Sequence, residues 1–456
     1  MRPLFLSLSF FLVLFLKGQG LDCNLPAQSE YNLKEIYNTT FVDLISFAEV
    51  INYTGASEVL KAKLNYPGFP SQPRPKKIPT ICLLHGGGFK SDDTKNSPLM
   101  VLFQDYFYKR GFLVVTADYR QGWEGSKGFC GTGSLNDFED AQYRAFQDTR
   151  ALVRYLKAKS NDLGVDTNAI FLLGTSAGGI NILNFYAKEH SLETPDRISR
   201  LGRLDGNGNN YDYSIDVAGI ITAAGSIVDL SNIQKNIPLM MIHGTCDAAV
   251  PFGEGKLIDC PNLSYMFGSS RINEKMKLLG FPSELHSFCG FGHDIGSQFD
   301  DPNGTKPSYN YWKKAASDFI YKILCNKTAN FEDKLANDFM QTSPADSCTN
   351  LEFYQLCTKN KPINEFKIGI FPSYISTFDH TAIKVISNEE TEIGYEIFDF
   401  YGIKKTNGTF KVSNGYNEIP LVLKNLGAGP NIVIFYKKGV KCFSQKIVVK
   451  SPLGTY

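Results

Sequence analysis

Gly174-Thr175-Ser176-Ala177-Gly178 places one serine between two glycines, where the apolar run Ile170 to Leu173 gives way to a helix-compatible stretch, Ala177 to Lys188. A strand that turns sharply into a helix projects the serine hydroxyl at the helix N-terminus, and the glycines allow a turn that a Cβ would obstruct. An ordinary glycine-rich turn shares the pentapeptide, so the strand and helix around it carry the inference. Attack by such a hydroxyl on a carbonyl carbon also needs a base, a carboxylate to orient that base, and backbone donors for the oxyanion. His85-Gly86-Gly87-Gly88-Phe89 follows a second apolar run, Ile81 to Leu84, and supplies candidate donors in the N–H groups of Gly87 and Gly88, with Ala177 as the third. A phosphate-cradling loop would instead carry Lys-Ser/Thr after its glycines, and none is present.

Base and carboxylate are expected downstream in the order acid, then histidine. Asp247 lies in His243-Gly244-Thr245-Cys246-Asp247-Ala248-Ala249-Val250-Pro251, directly after Leu239 to Ile242, and His293 lies in Gly290-Phe291-Gly292-His293-Asp294, after an expected last strand over Ser283 to Phe288. Asp229, after the preceding strand, is the alternative carboxylate. Of the other histidines, His190 falls toward the end of the helix after the serine, His286 within the last strand and His380 in the tail; His85 and His243 sit in loops that an imidazole can hold by hydrogen bonds.

The elements that must position these groups follow an alternating plan. Ile81 to Leu84, Leu113 to Ala117, Ile170 to Leu173, Val217 to Ala223 and Leu239 to Ile242 are short, apolar and bounded by turn residues, as strands buried on both faces are. Between them lie helical patterns such as Phe138 to Lys159, so the fold class is α/β with a mostly parallel sheet flanked by helices, its reactive groups at the carboxyl ends of the strands. Two further strands, Phe41 to Tyr53 and Glu58 to Tyr66, precede them. After Cys325 the pattern turns polar and irregular over 326–366, a linker, and residues 367–456 show short alternating strands expected to form a small immunoglobulin-like sandwich.

Bulk properties exclude several classes. The 456 residues carry 47 Lys plus Arg against 46 Asp plus Glu, a net charge of +1 that provides no field for nucleic acid or anionic membranes. Arg2, the apolar run Leu4 to Leu16 and small residues at Gly18 and Gly20 read as a secretory signal peptide over 1–20, the run being shorter than the roughly 20 residues that span a bilayer. All 10 cysteines lie beyond it, which fits a disulfide-bonded protein of an oxidising compartment. Cys246 and Cys289 are one conceivable pair, clamping the acid and histidine loops, while Cys82 in its strand reads as a buried thiol. No zinc-type spacing appears, so neither a metal nor a cofactor is expected.

Leu64-Asn65-Tyr66-Pro67, the His85 to Phe89 run, Ala117-Asp118-Tyr119-Arg120, Gly174 to Gly178, His243 to Pro251 and Gly292-His293 together resemble the carboxylesterase-type α/β hydrolases, over roughly residues 40 to 325 within a catalytic domain of 21–325. The resemblance implies a serine esterase that forms an acyl-enzyme: Ser176 attacks, His293 relays the proton and Asp247 fixes its tautomer. Its substrate would be an ester, small or polymer-attached. The chain between Ala223 and Pro238 is too short for a helical cap, so an open site is expected, suited to acyl or feruloyl decorations of polysaccharides or to polyesters; Phe89 and Trp123 are candidate substrate contacts. Residues 367–456 resemble the sorting domain of the type IX secretion system through Tyr395 to Gly402, Asn417 to Gly429 and Lys446 to Lys450, which implies the secretion machinery as a partner and a secreted or cell-surface location. Two other functions are weighed: a peptidase, which would need a recognition domain before Phe41, and a non-catalytic surface binding protein, which the intact set of candidate residues disfavours.

Overall fold

The computed structural model describes residues 35, 37–68, 76–90, 98–123, 134–185, 190–260, 263–293, 295, 307–335, 357, 366–371, 374–375, 382–421 and 426–449. The expected signal peptide, Cys23, Cys130, Cys348, His380 and most of the linker lie outside these residues.

In chain order the first unit runs β1 (Thr40–Ile51), β2 (Ser57–Pro67), β3 (Ile78–Leu84), α1 (Pro98–Tyr108), β4 (Leu113–Ala117), α2 (Leu135–Ala158), α3 (Ser160–Leu163), β5 (Val165–Thr175), α4 (Ala177–Asn184) and α5 (Pro195–Leu201). It continues with β6 (Gly219–Ala223), β7 (Ser226–Ile227), β8 (Leu239–Gly244), β9 (Glu254–Lys256), β10 (Tyr265–Gly268), α6 (Ser269–Leu278), β11 (Ser283–Phe288), α7 (Pro307–Leu324) and β12 (Lys334–Leu335). Nine strands form one sheet in the order β1-β2-β4-β3-β5-β6-β8-β11-β12. β2 runs antiparallel to β1 and β4, and from β4 onward each neighbour is parallel. The two-residue edge strand β12 pairs with His286 and Ser287, so the sheet extends past the expected boundary at Cys325 into what reads from sequence as linker.

Period-2 alternation divides the buried side chains between two helical layers. Ile81, Leu83, Phe171 and Leu173 meet α1 and α7 through Phe103, Phe107, Trp312 and Phe319. Cys82, Leu84 and Leu172 face α2 and α4 through Phe146, Leu152 and Ile180. Helix starts follow local chemistry. Ser134 caps α2, its hydroxyl accepting from the Asp137 N–H while Asp137 reaches back to the Ser134 N–H, and Thr194 caps α5 ahead of Pro195. The hairpin between β1 and β2 closes on Asn52, whose Oδ1 accepts from the N–H groups of Thr54 at 3.0 Å and Ala56 at 3.1 Å.

α2 buries polar side chains as well as apolar ones, and most of these are paired. Arg120, after β4, meets Asp148 of α2 through Nη2 at 2.7 Å and Nε at 3.0 Å, with side chains 3% and 1% exposed. Arg150 pairs with Asp205 at 2.7 Å, and Arg197 with Asp140 at 2.8 Å.

The second unit comprises β13 (Lys367–Phe371), β14 (Tyr374–Ile375), β15 (Ala382–Ser387), β16 (Thr391–Asp399), β17 (Lys404–Val412), β18 (Gly415–Pro420), β19 (Gly429–Lys437) and β20 (Val440–Val449). They form sheets of order β13-β15-β18 and β14-β20-β19-β16-β17. Ile370 and Val385 of the first share a core with Ile397, Val433, Phe435 and Ile447 of the second, the packing of a β sandwich. Among the described residues no helix is long and apolar enough to cross a membrane.

Removing one partner of a buried ion pair strands the other charge, at a cost of about 3–5 kcal/mol. Asp148→Ala is therefore expected to destabilise the first unit by about that amount in urea unfolding. A negligible shift would show that the pair does not tie the β4 loop to α2.

Candidate active site

The serine sits on a backbone that tolerates no extra atoms. Ser176 has φ 53° and ψ −120°, a conformation rarely adopted by a residue with a Cβ, at the junction of β5 and α4. A Cβ on Gly174 would lie 2.4 Å from the Gly178 oxygen, and one on Gly178 would lie 2.2 Å from the Leu84 oxygen and 2.5 Å from that of His85. The turn is therefore tight within itself and pressed onto the end of β3. The same approach brings the glycine run to the serine: a Cβ on Gly86 would stand 3.3 Å from Ser176 Cβ. Gly87 and Gly88 follow with φ of 107° and 66°. The N–H groups of Gly87, Gly88 and Ala177 donate to no acceptor among the described residues, the last because it opens a helix. They remain available to an oxygen beside Ser176.

Asp247 and His293 come from the next loops. β8 and β11 pair in parallel with Gly244 opposite Phe288, and beyond their ends Cys246 N donates to Phe291 O at 2.9 Å and Gly290 N to Thr245 Oγ1 at 3.0 Å. Across this pair of loops His293 Nδ1 lies 2.8 Å from Asp247 Oδ2, and His293 Nε2 lies 3.0 Å from Ser176 Oγ. The carboxylate accepts, so Nδ1 bears the proton and Nε2 is the acceptor for the serine hydroxyl. A hydroxyl so held can pass its proton to the imidazole as it attacks.

Asp247 is saturated. Its Oδ1 accepts from Ala249 N at 2.8 Å and Val250 N at 2.9 Å, and its Oδ2 accepts a second imidazole, His243 Nε2 at 3.1 Å. Burial favours the neutral acid, but the hydrogen bonds from His243 and His293 outweigh it and hold the carboxyl well below its ordinary value. His243 Nε2 faces only acceptors, Asp247 and Val250 O at 3.1 Å, so it carries the proton, and its Nδ1 meets Ser269 Oγ at 2.8 Å. Sequence reasoning read His243 as a loop-holding imidazole; that it shares the carboxylate with His293 was missed, and the four-residue spacing to Asp247 was the available signal.

Other expectations end differently. Asp229 caps a short 3₁₀ turn, accepting from Ser231 N at 2.8 Å, while the carboxylate at His293 Nδ1 is that of Asp247. Phe89 and Trp123 are core rather than surface, 1% and 2% exposed, each packed edge-on against Phe138, so neither presents a face to a ligand. The Cys246–Cys289 clamp does not form: Cys289 is bonded to Cys357, and Cys246 is disulfide-bonded elsewhere. The register ends at Phe288 opposite Gly244, so Cys246 and Cys289 both lie beyond the paired strands, in turns where each is bonded to a different cysteine. Cys82 is a free buried thiol, and burial pushes its pKa up. His190 is enclosed near Asn184 and Asn232, and burial pushes it down to about 3, which removes it as a base for this site.

The large, mostly parallel sheet with flanking helices and the serine elbow between β5 and α4 fit the α/β-hydrolase fold. Residues 69–237 match the BD-FAE family model. The BD-FAE match therefore takes in the glycine run and the serine elbow and stops before Asp247 and His293. Among solved structures the chain is similar to Thermogutta terrifontis esterase 2 phosphorylated by paraoxon, with 21% identity over 62% of this chain and 94% of that one at a TM-score of 0.42. It is also similar to the propionate-bound form of that organism's esterase, at 20% identity, the same coverages and a TM-score of 0.42, and to the apo form, at 20% identity, the same coverages and 0.43. No curated protein matches the chain.

Because Asp247 is held below its ordinary value of 3.8, its contribution to stability is complete above the unfolded-state value and declines as pH falls through it toward the native one. The destabilisation caused by Asp247→Asn is thus expected to be full at about pH 6 and to shrink below about pH 4. Urea unfolding of both forms across that range measures it.

Proposed function

We propose that this chain is a secreted serine hydrolase that cleaves carboxylic ester bonds through an acyl-enzyme. The observation that carries this reading is the unbroken chain Asp247 to His293 Nδ1 at 2.8 Å and His293 Nε2 to Ser176 Oγ at 3.0 Å, together with the N–H groups of Gly87, Gly88 and Ala177, which donate to no acceptor among the described residues. The BD-FAE match over the glycine run and elbow points the same way.

In this mechanism Ser176 Oγ attacks the carbonyl carbon as its proton moves to His293 Nε2. The oxyanion takes the N–H groups of Gly87, Gly88 and Ala177, donors of a kind whose individual loss typically costs about 10²–10³ in rate. The tetrahedral intermediate collapses, the C–O bond to the alcohol breaks, and His293 protonates the leaving oxygen, so that alcohol departs and acyl-Ser176 remains. Water then attacks the acyl carbon and delivers a proton to Nε2; the acid leaves and the serine regains its hydrogen. Asp247 keeps the Nδ1 proton in place and offsets the imidazolium charge. His293, 28% exposed, can exchange protons with water, whereas Asp247 is sealed.

The substrate class we favour is acyl or feruloyl groups on a bulky carrier, a polysaccharide or a polyester. Between β6 and β8 the chain makes only β7 and a 3₁₀ turn, which leaves that side of the serine without a helical cover. Export is supported by the character of residues 1–20 and by the disulfide at Cys289–Cys357, and a role for 367–456 in type IX sorting by its sequence resemblance together with its sandwich of sheets.

Ser176→Ala is expected to reduce p-nitrophenyl acetate hydrolysis by at least about 10⁴-fold and to abolish labelling by a fluorophosphonate probe. Retained turnover would overturn the assignment. In a panel of acetylated xylan, feruloyl esters, polyester oligomers and triglycerides, the carrier-bound esters are expected to exceed triglycerides in kcat/KM.

A further inference from the structure

At the carboxyl end of β4, away from Ser176 across β3, lies a cavity of 620 Å³ whose wall includes Tyr53, Arg120, Gly122, Arg144, Arg200 and Leu201. It is of the size that takes small organic ligands, about 300–1,000 Å³. Its wall continues from the glycine run, since the N–H groups of Gly122 and Trp123 both donate to Phe89 O, at 3.0 and 2.9 Å.

Among the described residues the charges on that wall are paired, with one exception. Arg120 is held by Asp148, and Arg200 by Asp140 and Asp196. Asp140 is bonded to Arg197 and Arg200, and Asp137 closes the α2 capping box. Arg144 is 5% exposed, its Nε has no partner, and among the described residues its guanidinium makes no hydrogen bond or ion pair. Asp137, Asp140 and Asp148 act on it only through space, as does the like charge of Arg120. A buried guanidinium without a partner is costly unless something else neutralises it. Its planar fork of donors matches the two oxygens of a carboxylate, and the ring of Tyr53 with the side chain of Leu201 offers an apolar surface beside it.

We infer that this cavity is a binding site for a small carboxylate with an apolar or aromatic body, its carboxylate seated on Arg144. The inference goes beyond the hydrolase reading and does not depend on it, because the test reads binding rather than turnover.

The experiment titrates the full chain calorimetrically with benzoate, with benzamide as the uncharged isostere and inorganic phosphate as competitor. Saturable binding of benzoate is expected, with none of benzamide and no displacement by phosphate. Arg144→Met is expected to weaken benzoate binding at least about tenfold. It is also expected to leave the ligand-free melting temperature unchanged or higher, since it removes a buried charge and no hydrogen bond or ion pair among the described residues; a structural arginine would lower it. Benzoate binding that survives Arg144→Met, equal binding of benzamide, or a melting temperature lowered by several degrees overturns the assignment, and displacement by phosphate overturns the carboxylate preference. Should Arg144→Met fail to fold, Arg144→Lys keeps the charge and loses the fork, and benzoate affinity equal to that of the unaltered chain then overturns it.

Discussion

The contact on which the site depends is backbone against backbone: Gly178 of α4 lies so close to the carbonyl oxygens of Leu84 and His85 that a Cβ there would sit 2.2 and 2.5 Å from them. β3 and β5 are neighbours in the sheet, and this contact locks the end of one to the elbow after the other. It sets Ser176 in its high-energy backbone conformation and brings Gly86 against the serine Cβ. Strain of that kind persists only where the surroundings over-determine it, and two hydrogen-bonded strands with α4 packed on them do so.

Asp247 plays the corresponding part on the other side of the serine. One carboxylate accepts two backbone N–H groups and two imidazoles, which orders the turn after β8 and the ring of His293 together. The loops that carry acid and histidine are already joined by backbone hydrogen bonds, so no disulfide is required between them. The bridge that forms instead joins Cys357 to Cys289, the residue directly after β11. Rigidity around Asp247 and exposure at His293 divide the labour: the carboxylate stays charged while the imidazole meets water.

The polar character of α2 follows from its place. Arg120, Arg150 and Arg197 reach buried positions around it because each finds a carboxylate there, and the fold tolerates charge only where it is matched. Arg144 on the same helix breaks that rule, and it does so at a cavity, where a ligand can complete what the chain leaves open.

Much of this was legible in the residues themselves. The alternation of apolar runs with helical stretches specified the α/β class, because strands buried on both faces must be short and continuously apolar. Glycines at 174 and 178 and the run 86–88 marked places where backbones approach, since only glycine survives such contact. The order serine, acid, histidine then named Ser176, Asp247 and His293. Other outcomes required three dimensions. Aromatic type at Phe89 and Trp123 does not say whether a ring faces solvent or core, and here Phe138 of α2 buries both. Cysteine spacing does not encode which distant cysteine the turns after β8 and β11 meet, and Cys289 meets Cys357 rather than Cys246. Nor does any local pattern distinguish the paired arginines from Arg144, because pairing is decided by which distant carboxylates the sheet and helices bring alongside. Local backbone chemistry was thus determined by the sequence alone, while burial, disulfide pairing and charge pairing, each a property of distant chain segments meeting, were decided by the tertiary structure.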